Sequence, residues 1–274
     1  MRIDGIQPYT YTRPAFGSFF RSVSTSDNPL TQQVLHRNNT WFFRPNPQYW
    51  HIITNFIIEK YKNVPKVNVY NYGCSNGIEP YSFIIMLVSK LGRDGASKFL
   101  PIIAKDYDEY AIKMATSGKL ELDPGEWEAI NSVSDGKVSD YLKLIRKQKF
   151  LGSDKYENVG EYEVSQFLKN SVNYSTADIL EDYKNIDPNN SIVFARNFWP
   201  YLAVGKKREL AEKLYAHLGT NSILIIGNYD HQREGSREDA PSELERVGFQ
   251  SFYIPDIYFN PSKQQPVQDF LIRV

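Results

Sequence analysis

Val67-Asn-Val-Tyr-Asn-Tyr-Gly-Cys-Ser-Asn-Gly-Ile-Glu-Pro-Tyr-Ser82 is the stretch whose reading decides the fold. It opens with the alternating β-branched residues Val67 and Val69 and breaks at Gly73-Cys-Ser-Asn-Gly77. From Glu79 it turns into the apolar run Phe83-Ile-Ile-Met-Leu-Val88, which ends near Lys90. A strand, a glycine turn and a helix in that order bring bare backbone up to a nucleotide-like ligand. The glycines permit the tight turn, and the helix N-terminus offers free N–H groups.

Upstream of this unit, residues 1 to about 30 are rich in Pro, Ser, Thr and Tyr and show no period, which predicts an irregular lead-in. Pro45 and Pro47 are expected to interrupt any helix begun near Leu35–Arg44. Trp50, Ile53, Phe56 and Ile57 then fall at helical spacing, predicting an amphipathic helix over Gln48–Tyr61. Residues 1–62 are therefore read as lead-in and helical cap, and 63–274 as the main domain.

Downstream, Phe99–Ala104 reads as a second buried strand ending at Lys105-Asp106-Tyr107-Asp108, with a helix over Glu109–Ser117. Further strands are expected at Val172–Tyr174, Ser191–Ala195 and Asn221–Gly227, with a helix over Lys206–Leu218 that stops at Gly219. This alternation implies right-handed crossovers and a doubly wound, mostly parallel α/β sheet of Rossmann type. Phe249–Tyr253 and Val267–Val274 are expected to pair antiparallel at its C-terminal edge. Residues from about 119 to 165 break the rhythm. They are charged, carry four glycines and include a helical patch around Tyr141–Ile145, so they read as an inserted lid or subdomain.

Composition removes several function classes. Among 274 residues, Lys plus Arg equals Asp plus Glu at 32 each, so no basic footprint marks a nucleic-acid partner. Cys74 is the only cysteine, which excludes an internal disulfide and a cysteine-built zinc site. His36, His51, His217 and His231 share no ligand spacing, so no metal is assigned. No apolar run approaches the ~20 residues of a membrane span, and the first residues hold no signal-like apolar segment. A cytoplasmic protein without membrane insertion is expected.

The loop is then tested against three ligands. A Walker loop needs G-x-x-x-x-G-K-[ST], and no such lysine follows Gly77. A dinucleotide loop wants G-x-G-x-x-G and an acidic residue about 20 positions on. Here the pattern is Gly73-x-Ser75-x-Gly77, and Asp106 comes 33 residues after Gly73, which disfavours a nicotinamide oxidoreductase. The spacing suits S-adenosylmethionine (SAM), which has no pyrophosphate to cradle and whose ribose diol wants a carboxylate. Cys74 is read as packing behind the loop rather than as a nucleophile. Asp106 and Glu79 also have plain readings, as a helix cap and a first-turn carboxylate. Asn197-Phe-Trp-Pro-Tyr201 lacks the paired prolines of amino-methylating DNA enzymes, and that reading is set aside.

Four motifs in order carry a resemblance over about Asn38–Asp230. They are Asn38-Asn-Thr40-Trp-Phe-Phe-Arg44, Gly73-Cys-Ser-Asn-Gly-Ile-Glu79-Pro-Tyr-Ser82, Ala104-Lys-Asp106-Tyr-Asp108 and Ala195-Arg196-Asn197-Phe-Trp-Pro-Tyr201. They resemble the Asn-x-Thr-x-Phe-Phe-Arg, Gly-Cys-Ser-x-Gly-Glu-Glu-Pro-Tyr-Ser, Ala-x-Asp-Ile-Asp and Cys-Arg-Asn-Val-x-Ile-Tyr motifs of CheR-type, SAM-dependent protein-glutamate methyltransferases. The resemblance implies that Asn38, Thr40, Arg44, the Gly73-Cys74-Ser75-Asn-Gly77 loop and Glu79 line the cofactor site. It also implies that Asp106 takes the ribose hydroxyls and that Asp178-Ile179, where the family has Asn-Leu, flanks the adenine. Arg196 and Asn197 would lie under the cofactor. Arg44 and Tyr201 would face the methyl group as catalytic residues, and S-adenosylhomocysteine would be the product.

The chain also departs from that family. Only 37 mostly irregular residues precede Asn38, where the chemotaxis enzymes carry a basic helical docking domain. Gly227-Asn-Tyr-Asp230 stands for Gly-His-Ser-Glu, and Ile78 replaces the loop's first acidic residue. These departures count against a chemoreceptor as the acceptor, leaving an unidentified protein or small molecule. A non-catalytic SAM- or S-adenosylhomocysteine-binding sensor or scaffold is the rival. Retention of Thr40, Arg44 and Tyr201 favours the enzyme, because a sensor needs only the pocket.

Overall fold

The computed structural model describes residues 40–147, 160–203, 205–231, 239–252 and 256–263. Its first helix, α1 (Pro47–Lys60), is the one expected over Gln48–Tyr61, starting at the second proline. The Asn46 side chain accepts the Tyr49 N–H at 2.9 Å, and Pro47 fills the first helical position, where an N–H is not needed.

The opening stretch folds as strand β1 (Asn68–Tyr72), a turn, and helix α2 (Ile78–Ala96), which changes direction at Gly92 with φ 68°. Gly77, at φ 87°, launches α2. A Cβ there would sit 2.4 Å from the Tyr174 hydroxyl, so both backbone angle and space demand glycine. The chain continues through β2 (Ile102–Asp106), α3 (Glu109–Ser117) and the segment from β3 (Lys119–Leu122) to β5 (Gly160–Val164). After it come α5 (Gln166–Asn170), β6 (Val172–Thr176), α6 (Ile179–Asp182), β7 (Ser191–Ala195), α7 (Lys206–His217) and β8 (Ile223–Ile225). Helix α8 (Ala240–Val247) and strands β9 (Gln250–Ser251) and β10 (Ile257–Phe259) complete the described chain.

The large sheet has seven strands in the order β6-β2-β1-β7-β8-β10-β9. Strands β6, β2, β1, β7 and β8 run parallel, while β10 and β9 add an antiparallel edge. The expected edge is present, with Ile257–Phe259 as the partner; Val267–Val274 lies outside the described residues. Successive strand residues enter opposite cores. Phe194 packs with Trp50 and Phe83 on one face, and Val193 and Ala195 pack with Leu210 and Leu214 on the other. Burial on both faces explains why β7 is apolar at nearly every position.

The insertion is a separate antiparallel sheet in which β5 lies between β3 and β4 (Leu142–Lys147), with α4 (Pro124–Val133) between β3 and β4 in sequence. The helical patch expected around Tyr141–Ile145 is instead strand β4 (Leu142–Lys147). As an edge strand it buries only Leu142, so it lacks the alternation that announces a strand, and pairing of Lys143 and Arg146 with Glu163 and Glu161 decides its form. The helix lies earlier, where Asp123 and Glu126 form a capping box. Leu120, Ile130, Tyr141 and Tyr162 join the same buried core as α2. Among the described residues, no helix is long and apolar enough to cross a membrane.

Candidate active site at the carboxyl ends of the parallel strands

Strand order reverses at β1, which has β2 on one side and β7 on the other. In open α/β sheets, that reversal opens a crevice beyond the strand ends. Register makes the crevice specific: Tyr72 lies level with Lys105 and with Ala195. The next residue of each strand is therefore Gly73, Asp106 and Arg196, three of the motif residues side by side.

Asp106 is fastened by two backbone donors. Its Oδ2 accepts the Ser75 N–H at 2.8 Å and its Oδ1 the Asp108 N–H at 2.9 Å. Each oxygen keeps a lone pair for a further donor. The cap of α3 is Asp108, whose side chain accepts from Tyr110, so Asp106 is released from that duty. Cys74 turns its thiol into the core, where burial pushes its pKa well up and keeps it protonated.

The centre of the site is an ion pair. Arg196 Nη1 meets Glu79 Oε2 at 2.7 Å; the arginine side chain is fully buried and the glutamate 11% exposed. Asn71 Nδ2 donates to the other oxygen, Glu79 Oε1, at 2.8 Å. The Arg196 guanidinium sits 4.9 Å from the Trp50 ring centre and 5.3 Å from that of Tyr49. Burial is the largest influence and opposes its charge, but Glu79, Tyr49, Asp256 and Asp230 together outweigh it and raise its pKa. The Tyr49 hydroxyl donates to Asp256, which also holds His231 at 2.6 Å.

Residues 40–46 roof this cluster. Phe42 and Phe43 are buried in the core, Phe43 with φ 56°. The Phe43 N–H donates to Ser82 Oγ at 3.0 Å, and the Phe42 N–H to Glu126 Oε1 at 3.2 Å. The Arg44 carbonyl accepts from both Trp50 Nε1 and Arg196 Nη2, each at 2.9 Å. The Arg44 guanidinium lies 4.7 Å from the Trp41 ring centre and 5.8 Å from that of Tyr229. Burial first, and then the neighbouring Arg196, lower its pKa.

The far wall hangs on Asp230. Its carboxylate accepts the N–H groups of Asn197 (2.6 Å), Gly227 (2.7 Å) and Trp199 (3.1 Å). That clamp holds Asn197 in the left-handed region at φ 64°. Burial pushes the Asp230 pKa to about 6, against the pull of those three donors and of Arg196.

The structure thus brings Arg44, Glu79 and Arg196 together and sets the Gly73–Gly77 loop beside Asp106. Asp178 caps α6 by accepting the Leu180 N–H at 2.9 Å, and Ile179 is buried in the second core. Tyr201 stands 68% exposed beside Tyr229, with ring centres 6.2 Å apart. Thr40 is half-buried, and Asn38 lies outside the described residues. Asn71, Tyr49, Trp41 and Tyr229 were not singled out from the sequence. A polar Asn71 inside a buried strand was the signal for the first of them.

Comparison with known proteins supports the same reading. The profile of the CheR methyltransferase SAM-binding domain matches residues 38–243. The chain is 25% identical over 217 residues to a chemotaxis protein methyltransferase of Borreliella burgdorferi, covering 76% of this chain and 70% of the relative. It is 25% identical over 219 residues to the corresponding protein of Listeria innocua, covering 77% and 73%. Among solved structures, a magnesium protoporphyrin IX methyltransferase of Synechocystis aligns over 74% of this chain and 69% of its own, with 12% identity and a TM-score of 0.37. With its profile match covering three quarters of the sequence and its motifs gathered at one strand crossover, the chain belongs to the CheR methyltransferase family and is a SAM-dependent methyltransferase.

Proposed function

We propose that the chain transfers the methyl group of SAM to a carboxylate, forming a methyl ester on an acceptor other than a chemoreceptor. The observation that carries this reading is Arg44, whose guanidinium lies beside Trp41 and Tyr229 near Arg196 and whose carbonyl is anchored by Trp50 and Arg196. A guanidinium can grip a carboxylate through paired N–H donors.

The residues present fit SAM. Asp106 keeps acceptor capacity for a diol, and Glu79 with Arg196 offers one charge of each sign to the zwitterionic methionine end. Asn71 Oδ1 is buried without a hydrogen-bond partner among the described residues, an acceptor matched to a ligand ammonium. Bound SAM supplies an activated methyl on a sulfonium that departs as a neutral thioether. The protein's part is to position the acceptor and exclude water. A carboxylate is ionised near neutral pH, so no general base is required.

Two measurements test the assignment. S-adenosylhomocysteine at 100 times its dissociation constant should stabilise the fold by about 2.7 kcal/mol, a rise of roughly 5–10 °C in Tm. Asp106→Ala should abolish that rise; an undiminished rise would show that Asp106 does not hold the ribose. Arg44→Ala should keep it while slowing transfer of labelled methyl into base-labile ester about 10-fold to 100-fold, the loss of one charge-assisted contact. If Arg44→Ala loses cofactor binding too, Arg44 belongs to the cofactor half.

A further inference from the structure

We propose that the acceptor side of the site is an aromatic collar that selects a carboxylic acid bearing a planar ring next to its carboxylate. The proposal rests on the carboxylate reading above and names the class of acid within it. Three rings from three separate segments gather around Arg44. Trp41 comes from the roof, Tyr201 from the turn after β7 and Tyr229 from the turn after β8. The guanidinium lies 4.7 Å from Trp41 and 5.8 Å from Tyr229. Tyr229 in turn meets Tyr201 at 6.2 Å, with ring planes only 32° apart.

The collar is held in place. The Tyr229 N–H donates to Asn197 Oδ1 at 3.2 Å, and the next residue is Asp230, clamped by three backbone N–H groups. Tyr201 follows Trp199, which that clamp also secures. A rigid aromatic wall binds a flat partner without first having to be ordered. An exposed tyrosine by itself means little. Here, however, the 68% exposed Tyr201 extends a wall that borders the one guanidinium assigned to the acceptor.

The chemistry of the ligand follows. The guanidinium grips the carboxylate in its plane, while the π-faces of Tyr201 and Tyr229 receive an attached ring by offset stacking. A glutamyl side chain, with only methylenes behind its carboxylate, satisfies the cation and leaves the rings unused. Tyr229 is the specificity-determining residue of this arrangement. It stands where the resembling motif has the serine of Gly-His-Ser-Glu, so the side chain changes at the acceptor wall while a carboxylate persists at Asp230.

Isothermal titration of the full chain saturated with S-adenosylhomocysteine tests this with three probes: phenylacetate, cyclohexylacetate and glutarate. The first two share size and carboxylate and differ in the π-face. Phenylacetate should bind about 3-fold to 10-fold more tightly than cyclohexylacetate, the range an aromatic pair supplies beyond buried area. Tyr229→Ser should erase that preference and Tyr229→Phe should keep it, both with the S-adenosylhomocysteine melting shift retained as evidence of folding. Equal binding of the two ring acids, or a preference that survives Tyr229→Ser, overturns the collar alone if glutarate still binds. Failure of all three acids to bind the cofactor-loaded chain overturns the carboxylate reading and the collar with it.

Discussion

Glu79→Ala is expected to lower the stability of the fold by about 3–5 kcal/mol, the typical cost of stranding one member of a buried ion pair. For a domain of this size that corresponds to a Tm loss of roughly 6–20 °C. The substitution leaves the Arg196 guanidinium, fully buried, without its only carboxylate partner within 4 Å among the described residues. It also strands the Asn71 amide, whose one hydrogen bond here goes to Glu79. Two aromatic faces, Tyr49 and Trp50, cushion the guanidinium but do not neutralise it. Glu79→Gln retains shape and one acceptor and should fall between parent and alanine variant. Calorimetric melting of the three proteins without ligand checks the order. A Glu79→Ala protein that melts within 2 °C of the parent would reduce Glu79 to a first-turn carboxylate.

Asp230→Ala should cost about 3 kcal/mol at pH 7.5, because three backbone N–H groups lose their acceptor at once at about 1 kcal/mol each or more. The loss should also depend on pH in a defined direction. The folded-state pKa of Asp230 is raised to about 6 from an ordinary 3.8. Between those values the folded protein holds a proton that the unfolded chain releases. The proton-linked part of its stabilisation, which adds to that of the three hydrogen bonds, is therefore full below pH 3.8 and is lost as pH rises through about 6. Parent and variant should consequently differ by about 1.4 kcal/mol more at pH 5 than at pH 7.5. Denaturant titrations of both proteins at the two pH values measure it. A gap that narrows at pH 5 would mean that Asp230 is stabilised as the anion.

The cofactor half of this protein was written in local sequence, and the acceptor half was not. Gly73–Gly77 and Glu79 sit on one strand-turn-helix and Asp106 ends the next apolar run, so their neighbourhood was legible locally, while the role of Glu79 was implied by the resemblance. Strand patterning worked for β7 because both its faces are buried. It failed for β4 because an edge strand exposes most residues and has no period to read. The helix expected over Gln48–Tyr61 is present one residue earlier, because Pro47 fits the first helical position. Asp230 and Tyr229 could not be assigned in advance, and Asn71 was marked only by its polarity inside a buried strand. The roles of Asp230 and Tyr229 arise from contacts across 33 and 32 residues, and that of Asn71 from Glu79 on the helix that follows its strand, so only the folded arrangement creates those contacts.

One carbonyl has a wider consequence. The oxygen of Arg44 receives hydrogen bonds from Trp50, on the first helix, and from Arg196, beside Glu79. A residue assigned to the acceptor thus has its main chain riveted to a residue assigned to the cofactor. If loading one ligand stiffens that rivet, the other meets a structure already set, and each should change the other's affinity by the same factor. The order in which the two ligands arrive would then be a property of this joint, and the enzyme would favour a two-ligand assembly over either half-filled state.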